Sequence, residues 1–285
     1  MIALTGATGH LGRIVIDDLL AAGNPAAEIV AIVRDADKAA DLTSAGVTVR
    51  VADYTDRDAL VAAVDGVDRL LLISGSEPGI RIPQHLNVLH AAQQAGVSLL
   101  AYTSILKADT TKVVLAPEHE ATEAAIRASG VPFTMLRNGW YLENFAADLP
   151  GTLDRGTIVG SSGDGRISYA TRADYAGAAA AVLTGSGHEY QTYELGGDPA
   201  LTMDEVAQAL TEAAGRPVVY QDLAPAAHSA ALTAAGLPAP VVDLLVDIDR
   251  ANRTGELLTE SGDLARLLGR PTTSAVEGFR ALLAS

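Results

Sequence analysis

The chain contains no cysteine at any of its 285 positions. This absence excludes disulfide bonds, thiol redox chemistry, and zinc or iron–sulfur sites with cysteine ligands. The six histidines are scattered along the sequence, so we predict no metal site. A Gly-x-Ser-x-Gly nucleophile elbow, a Gly-Lys-Ser/Thr phosphate loop and a His-Glu-x-x-His zinc motif are also missing from the sequence.

Positive charge and long apolar runs are scarce as well. With 20 Lys and Arg against 35 Asp and Glu, the formal net charge is −15, which disfavours binding to nucleic acid or to an anionic membrane. No run of about 20 apolar residues predicts a membrane span. No basic segment precedes an apolar run at the N-terminus, so we expect no signal peptide and a cytoplasmic protein. Any phosphate site in such an acidic chain must be made positive locally.

The N-terminal segment combines a short apolar strand, a glycine-rich turn and a helical run. In the turn, Gly6 permits a tight bend, Gly9 lets the backbone approach a pyrophosphate, and Gly12 lets the helix pack close to the strand. The helix N-terminus adds N–H groups and a partial positive charge. This order predicts a dinucleotide site, and the alternative is a glycine turn without a ligand. The candidate cofactor contacts in the turn are Gly6, Thr8, Gly9, His10 and Leu11.

The residue after the second strand indicates which dinucleotide binds. A carboxylate there bonds the ribose 2′-hydroxyl of NAD, whereas an arginine accommodates the 2′-phosphate of NADP. Arg34 stands at this position, 22 residues beyond Gly12, and Lys38 follows one helical turn later. We therefore predict a 2′-phosphate site, the alternative being a solvated surface charge. The neighbouring Asp35 is interpreted as the N-cap of the next helix rather than a ribose contact.

Strands and helices alternate through the first half of the chain, which predicts an α/β fold with a doubly wound parallel sheet of the Rossmann type. We place a nucleotide-binding domain at 1–138, with 168–186 packing back on it, and a smaller, mostly helical substrate domain at 139–285. A capping box, Thr202 to Glu205, opens one of the later helices. The predicted strands are 28–33, 47–51, 69–73, 99–103, 133–137 and 190–195, and the predicted helices are 36–45, 56–65, 83–95, 117–129 and 171–183.

Polar and small residues follow three further strands, where a ligand of such a sheet binds. After the third strand, a carboxylate can accept a hydrogen bond from an adenine amino group. A structural role as a helix cap or turn aspartate explains the same residue equally well. After the fourth strand, small residues let the backbone pass close to the cofactor ribose. The fifth strand ends beside the expected nicotinamide position. These candidate cofactor contacts are Asp53, Tyr54, Ser74, Gly75, Ser76, Thr103 and Ser104.

Several segments together resemble the NmrA-like branch of the atypical short-chain dehydrogenases, and in particular the bacterial type 2 NAD(P)H:quinone oxidoreductases. Like those relatives, the chain lacks the Tyr-x-x-x-Lys pair that many short-chain dehydrogenases carry after a strand-end serine. In the corresponding helix, only His119 titrates near neutrality. It either faces the nicotinamide or is an inert exposed histidine. The segments that carry the resemblance are the glycine turn, 31–34, 71–74, 101–104, 136–144, 196–198 and 269–273.

The resemblance implies that NADPH reduces a quinone by transfer of two electrons. It assigns the glycines, Arg34, 74–76, Thr103 and Ser104 to NADPH, and the segment 138–144 to the acceptor. Aromatic rings there can stack on a planar quinone, and an amide can donate to its oxygen as charge develops. The implied acceptor-binding residues are Asn138, Trp140, Tyr141 and Asn144, and the implied catalytic residues are Asn144, Tyr141 and His119.

Other interpretations stay open at this point. Relatives of the same branch include reductases of triphenylmethane dyes and redox sensors that bind NADP(H) without turnover. The segment 138–144 can also be an aromatic packing hinge. We expect a small-molecule partner and a monomer or homodimer.

Overall fold

The computed structural model describes residues 1–75, 77 and 79–284, which fall into two compact units. Unit 1 contains Met1–Ala108, Pro117–Asn138 and Arg172–Tyr193. Unit 2 contains Asp109–Ala116, Gly139–Thr171 and the chain from Glu194 onward. The chain therefore passes between the units several times. The predicted first domain, 1–138, includes residues 109–116, whereas the structure groups these residues with unit 2.

The described residues form strands and helices in regular alternation up to residue 138. The strands are β1 (Ile2–Thr5), β2 (Ile29–Val33), β3 (Thr48–Val51), β4 (Arg69–Leu72), β5 (Leu99–Ile105), β6 (Phe133–Asn138), β7 (Thr157–Gly160), β8 (Gln191–Leu195) and β9 (Val219–Asp222). The helices are α1 (His10–Ala21), α2 (Ala40–Ser44), α3 (Arg57–Val64), α4 (Arg81–Ala95), α5 (Ala116–Ala128), α6 (Leu149–Arg155), α7 (Arg172–Thr184), α8 (Met203–Ala214), α9 (Pro225–Ala234), α10 (Ala239–Arg253), α11 (Asp263–Leu268) and α12 (Ala275–Ala284). Short 3-10 helices occupy Ala26–Glu28, Asp37–Ala39 and Leu142–Asp148.

The main sheet has seven strands in the order β3-β2-β1-β4-β5-β6-β8. Its first five strand pairs are parallel; Leu4 of β1, for example, pairs with Ala31 of β2 and with Leu71 of β4. The strand order reverses between β1 and β4, and ligands of open α/β sheets bind at this reversal, outside the carboxyl ends of the strands. The predicted doubly wound α/β fold is confirmed.

Helices cover both faces of this sheet in unit 1. Strands β1, β2 and β4 are almost entirely buried, as expected when both faces are covered. Helix α1 packs against α7, and α3 packs against α4. One continuous core joins strand residues such as Ile32 and Tyr102 to Leu60, Val88 and Ile126 of the helices.

Strand β5 is longer than predicted. It continues to Ile105, because Ser104 and Ile105 stay in register with Arg137 and Asn138 of β6. Thr103 and Ser104 therefore lie within the strand rather than at its end, and both are buried. The predicted helix at 36–45 is also different, since its first turn, Asp37–Ala39, is a 3-10 helix.

Unit 2 is mostly helical and has a core of its own. Its only sheet among the described residues is the parallel pair β7–β9. The core centres on Leu142, Ile158, Leu210 and Phe279. Helix α8 begins with the predicted capping box, since the Thr202 hydroxyl accepts from the backbone of Glu205 and the Glu205 carboxylate accepts from that of Thr202. No described helix of either unit has the length and apolar character needed to cross a membrane.

Candidate cofactor-binding site

The glycine turn between β1 and α1 is a backbone structure that side chains would disrupt. Gly6 has a φ of +63°, which L side chains rarely adopt. A Cβ on Gly12 would lie 2.4 Å from the Gly6 carbonyl oxygen, so only glycine lets α1 start this close to the strand. Gly9 caps α1 without a side-chain hydrogen bond to the first turn. The N–H groups of that turn thus face the space that a pyrophosphate would need.

A cleft of about 380 Å³ opens beside this turn. Four wall segments follow the carboxyl ends of strands: Gly6 follows β1, Arg34 follows β2, Asp53 follows β3, and Ser74 follows β4. The cleft therefore occupies the position that the strand order predicts for a ligand. Its lining includes the predicted contacts Gly6, Thr8, Gly9, Arg34, Lys38, Asp53, Tyr54, Ser74 and Gly75, and also Ile32, Val33, Ala52, Ile73, Glu77 and Gln84.

The cleft carries two cationic side chains after β2. The Arg34 side chain is 67% exposed and lies 3.4 Å from the Glu77 carboxylate, a loose surface pair that a phosphate can displace. Lys38 lines the same cleft. Asp35 accepts a hydrogen bond from the backbone N–H of Asp37 at 3.0 Å, so its carboxylate stabilises the 3-10 turn rather than capping an α-helix.

Asp53 and Tyr54 already have partners within the protein. The Asp53 carboxylate accepts from the hydroxyl and backbone N–H of Thr55 at 2.6 and 2.8 Å, and these hydrogen bonds lower the pKa of Asp53. The Tyr54 hydroxyl bonds the hydroxyl of Thr5 and the Ile73 carbonyl, and burial raises its pKa. The structure thus gives Tyr54 a role in joining the ends of β1 and β4, in addition to lining the cleft.

Four predicted cofactor contacts do not line the cleft. Leu11 is buried, and His10 is exposed at the start of α1. The Thr103 hydroxyl accepts from the backbone N–H of Ser74 at 2.8 Å and so supports the cleft wall from behind. The Ser104 hydroxyl donates to Glu123 at 2.6 Å. A fifth contact, Ser76, lies outside the described residues.

Glu123 and Arg137 form a buried ion pair that we did not predict. Both side chains are about 95% buried, at 4% and 5% exposure. The Arg137 guanidinium donates to both carboxylate oxygens, through Nε at 2.9 Å and Nη2 at 2.7 Å. Arg127 and Ser104 add one donor each. These contacts join β5, β6 and α5, and their sequence signal is weak, because Arg137 is the one charge in β6 whereas Glu123 is one of several carboxylates in α5.

His119 is buried, whereas we considered it either exposed or facing the nicotinamide. The residue is 3% exposed, and its ring Nδ1 lies 2.8 Å from the Tyr102 hydroxyl. Burial, assisted by the charge of Arg81, lowers the pKa of His119 to about 3, so the ring is neutral at physiological pH. Histidine 119 is not among the residues lining the cleft. The geometry favours a structural role, and its catalytic role stays a prediction.

The acceptor residues predicted in unit 2 lie within and just before the 3-10 helix Leu142–Asp148. Trp140 and Tyr141 are half-buried and Asn144 is exposed. Trp140 packs on the apolar cluster around Ile248, and the neighbouring Phe145 packs between Tyr169 and Phe279. Asn138, at the end of β6 in unit 1, is buried. These contacts agree with the packing alternative, and Asn144 is the one of these residues that is exposed.

Unit 2 contains a larger cleft, of about 570 Å³, which we do not assign to the cofactor. Its lining carries the carboxylates of Asp164, Asp204 and Asp222 against the single cation Arg253, which itself lies 3.4 Å from Asp222. This excess of negative charge repels a pyrophosphate, whereas the smaller cleft of unit 1 sets two cations against Asp53 and Glu77 and adds a helix N-terminus.

Comparison with known proteins identifies the family. Residues 6–186 match the family model described as NAD(P)H-binding. The chain belongs to this NAD(P)H-binding family. It is 50% identical, over 277 residues that cover 97% of this chain and 96% of the relative, to quinone oxidoreductase 2 of Escherichia coli strain K12.

Solved structures give the same result. The crystal structure of an NADPH-dependent quinone oxidoreductase from E. coli, complexed with NADPH, matches with a TM-score of 0.95 and 50% identity, covering 99% of this chain and 100% of that one. The triphenylmethane reductase of Citrobacter sp., complexed with NADP(H), matches with a TM-score of 0.94 and 40% identity, covering 99% and 100%. The predicted family resemblance is confirmed.

Proposed function

We propose that this protein reduces a quinone by two electrons at the expense of NADPH. The observation that carries the proposal is the cleft of unit 1, where a glycine turn, a helix N-terminus and the exposed Arg34 meet at the strand reversal. The identity of half the aligned residues to a quinone oxidoreductase supports quinone as the acceptor. Reduction of a triphenylmethane dye is a second candidate, supported by the 40% identity to that reductase. A cytoplasmic location and a monomeric or homodimeric state belong to the same proposal.

The residues present fit the chemistry of NADPH. The glycine turn and the first turn of α1 would hold the pyrophosphate, and Arg34 with Lys38 would hold the 2′-phosphate. When bound, the nicotinamide supplies a hydride. The protein contributes orientation and exclusion of water. A quinone oxygen can take its proton from water, so the absence of a Tyr-x-x-x-Lys pair is compatible with this reaction.

On the acceptor side, we propose that Trp140 and Tyr141 stack on the planar acceptor and that Asn144 donates to the oxygen on which negative charge develops. The exposure of residue Asn144 supports this assignment, and the half-buried Trp140 and Tyr141 offer the apolar surface. In the same proposal, Asn138 is a further substrate contact and His119 is a further catalytic group.

The deciding experiment is steady-state oxidation of NADPH with a panel of soluble quinones and triphenylmethane dyes. We expect turnover with quinones and a lower kcat/KM for dyes. If no acceptor supports turnover while NADPH and NADP⁺ bind with similar affinity, the protein is a redox sensor and the proposed activity is incorrect.

Replacement of Arg34 by alanine tests the cofactor assignment. We expect Arg34→Ala to weaken NADPH binding by about 1.5–3 kcal/mol, the range for a hydrogen bond to a charged group, and to leave NADH binding nearly unchanged. The measurement is fluorescence titration of both cofactors. Arg57→Ala, which removes an exposed arginine outside the cleft, is the matched control. Equal losses for NADPH and NADH would contradict the assignment.

The acceptor assignment predicts separate kinetic effects for two residues. Trp140→Ala removes a flat apolar face and should mainly raise the quinone KM. Asn144→Ala removes a donor to the developing charge and should lower kcat about tenfold, on the scale of one hydrogen bond. NADPH binding should stay unchanged in both variants. Wild-type kinetics in both variants would mean that the segment is a packing hinge.

A further inference from the structure

The loop between β4 and α4 forms one wall of the cofactor cleft through Ile73, Ser74, Gly75 and Glu77. Side chains bond the peptide groups of its described residues Ile73, Ser74 and Gly75. The Ile73 N–H donates to the Thr5 hydroxyl at 3.1 Å, and the Ser74 N–H to that of Thr103 at 2.8 Å. The shape of the wall therefore depends on residues that lie behind it.

Gly75 is held from both sides by helix α4. Its N–H donates to Nε2 of His85 at 3.0 Å, and its carbonyl accepts from Nε of Arg81 at 2.5 Å. Arg81 also lies 3.3 Å from Glu118 of α5, whose other carboxylate oxygen accepts from the Gly79 N–H at 2.9 Å. His85 is 1% exposed and does not line the cleft, so it does not contact a ligand there.

The hydrogen bonds of His85 require a single neutral tautomer. Nε2 accepts from Gly75 and therefore carries no proton. Nδ1 lies 3.0 Å from the Thr122 hydroxyl, which donates its own proton to the Glu118 carbonyl at 2.8 Å. The Thr122 oxygen is thus an acceptor, and Nδ1 carries the proton. A second proton on the ring would place an N–H against the N–H of Gly75.

The surroundings of His85 favour this neutral form. Burial and the nearby charge of Arg81 lower the pKa of His85 to about 4. The aromatic rings of Tyr102 and Tyr54 lie edge-on to the imidazole at 5.4 and 6.5 Å. The titratable and charged groups around the ring are Arg81 on α4, Glu118 and His119 on α5, Tyr102 on β5 and Tyr54 after β3.

We propose that His85 is a positioning residue for cofactor binding, whose neutral ring fixes the Gly75 peptide and with it the cleft wall at residues 73–75. It acts through Gly75 and touches neither cofactor nor acceptor. The inference rests on the proposed function only in using NADPH as the probe.

The first test is binding. In His85→Phe, the Gly75 N–H has no acceptor, and we expect the Kd for NADPH to rise about tenfold, within the range for an unsatisfied donor. In His85→Gln, an amide oxygen can replace Nε2, and we expect a Kd within about threefold of the wild-type value. The matched control is His90→Gln on the same helix, which should leave the Kd unchanged. At saturating NADPH, kcat should be the same in all variants.

The second test needs no cofactor and so separates this inference from the proposed function. A histidine-selective ¹⁵N NMR spectrum of the wild-type protein, with His85 assigned by its loss in His85→Gln, should show a neutral Nδ1–H tautomer from pH 8 to about pH 5. An Nε2–H tautomer, or a ring already charged at pH 6, would overturn the proposal. Wild-type NADPH affinity in His85→Phe would overturn it as well. If His85→Phe does not fold, the tautomer decides.

Discussion

An Arg137→Ala variant is expected to lose about 3–5 kcal/mol of its free energy of unfolding, the usual cost of leaving one partner of a buried ion pair uncompensated. Among the described residues, the buried carboxylate of Glu123 would keep Ser104 and the partly exposed Arg127 as its donors. Since small domains are typically stable by about 5–15 kcal/mol, this single change should be close to unfolding unit 1. Chemical denaturation followed by circular dichroism measures the effect.

Two further variants isolate the cause. Arg127→Ala removes a donor to the same carboxylate from a side chain that is 42% exposed, so we expect a loss of less than about 1 kcal/mol. The double variant Glu123→Leu with Arg137→Met removes both charges, and we expect it to be more stable than Arg137→Ala alone. If Arg137→Ala and Arg127→Ala lower the free energy of unfolding equally, burial of the ion pair does not determine its contribution to stability.

Gly9→Val is expected to abolish NADPH binding while the fold survives. The backbone of Gly9, with φ −76° and ψ 166°, is accessible to any residue. An added Cβ would meet only the Gly6 carbonyl oxygen, at 3.2 Å, a contact that a shift of a few tenths of an ångström relieves. The branched side chain would, however, occupy the space beside the helix N-terminus that the pyrophosphate needs. We expect the Kd for NADPH to rise by at least about 100-fold, or about 2.7 kcal/mol.

The neighbouring Gly12 provides the contrast. A Cβ on Gly12 would lie 2.4 Å from the Gly6 oxygen and 2.9 Å from the Ala7 Cα, and both are backbone atoms that cannot rotate away. Gly12→Ala should therefore destabilise the fold itself, by at least the 1–3 kcal/mol or so typical of overpacking. Fluorescence titration with NADPH and thermal unfolding distinguish the two variants. A folded Gly9→Val protein with normal NADPH affinity would show that the turn does not approach the cofactor.

The sequence alone was sufficient to predict the fold class and most of the polar and glycine residues that line the cleft. Glycine spacing, the arginine after the second strand and the small residues after the fourth are local signals, because each follows directly from the conformation or charge that the position requires. Nine of the predicted cofactor contacts line the cleft of unit 1 for this reason. The parallel sheet also forces the carboxyl ends of successive strands to one edge, so that separate short motifs become neighbours.

Contacts between segments that are distant in the chain could not be predicted from the sequence in the same way. Some residues that support the cleft wall, such as His85, lie on helices whose facing side depends on packing. Their sequence neighbours give no sign that one histidine accepts from Gly75 and another, His119, bonds to Tyr102. Tertiary structure alone decided that both rings are buried and that Ser104 donates to Glu123. The physical reason is that backbone conformation is set by nearby residues, whereas burial and hydrogen-bond partners are set by which elements pack together.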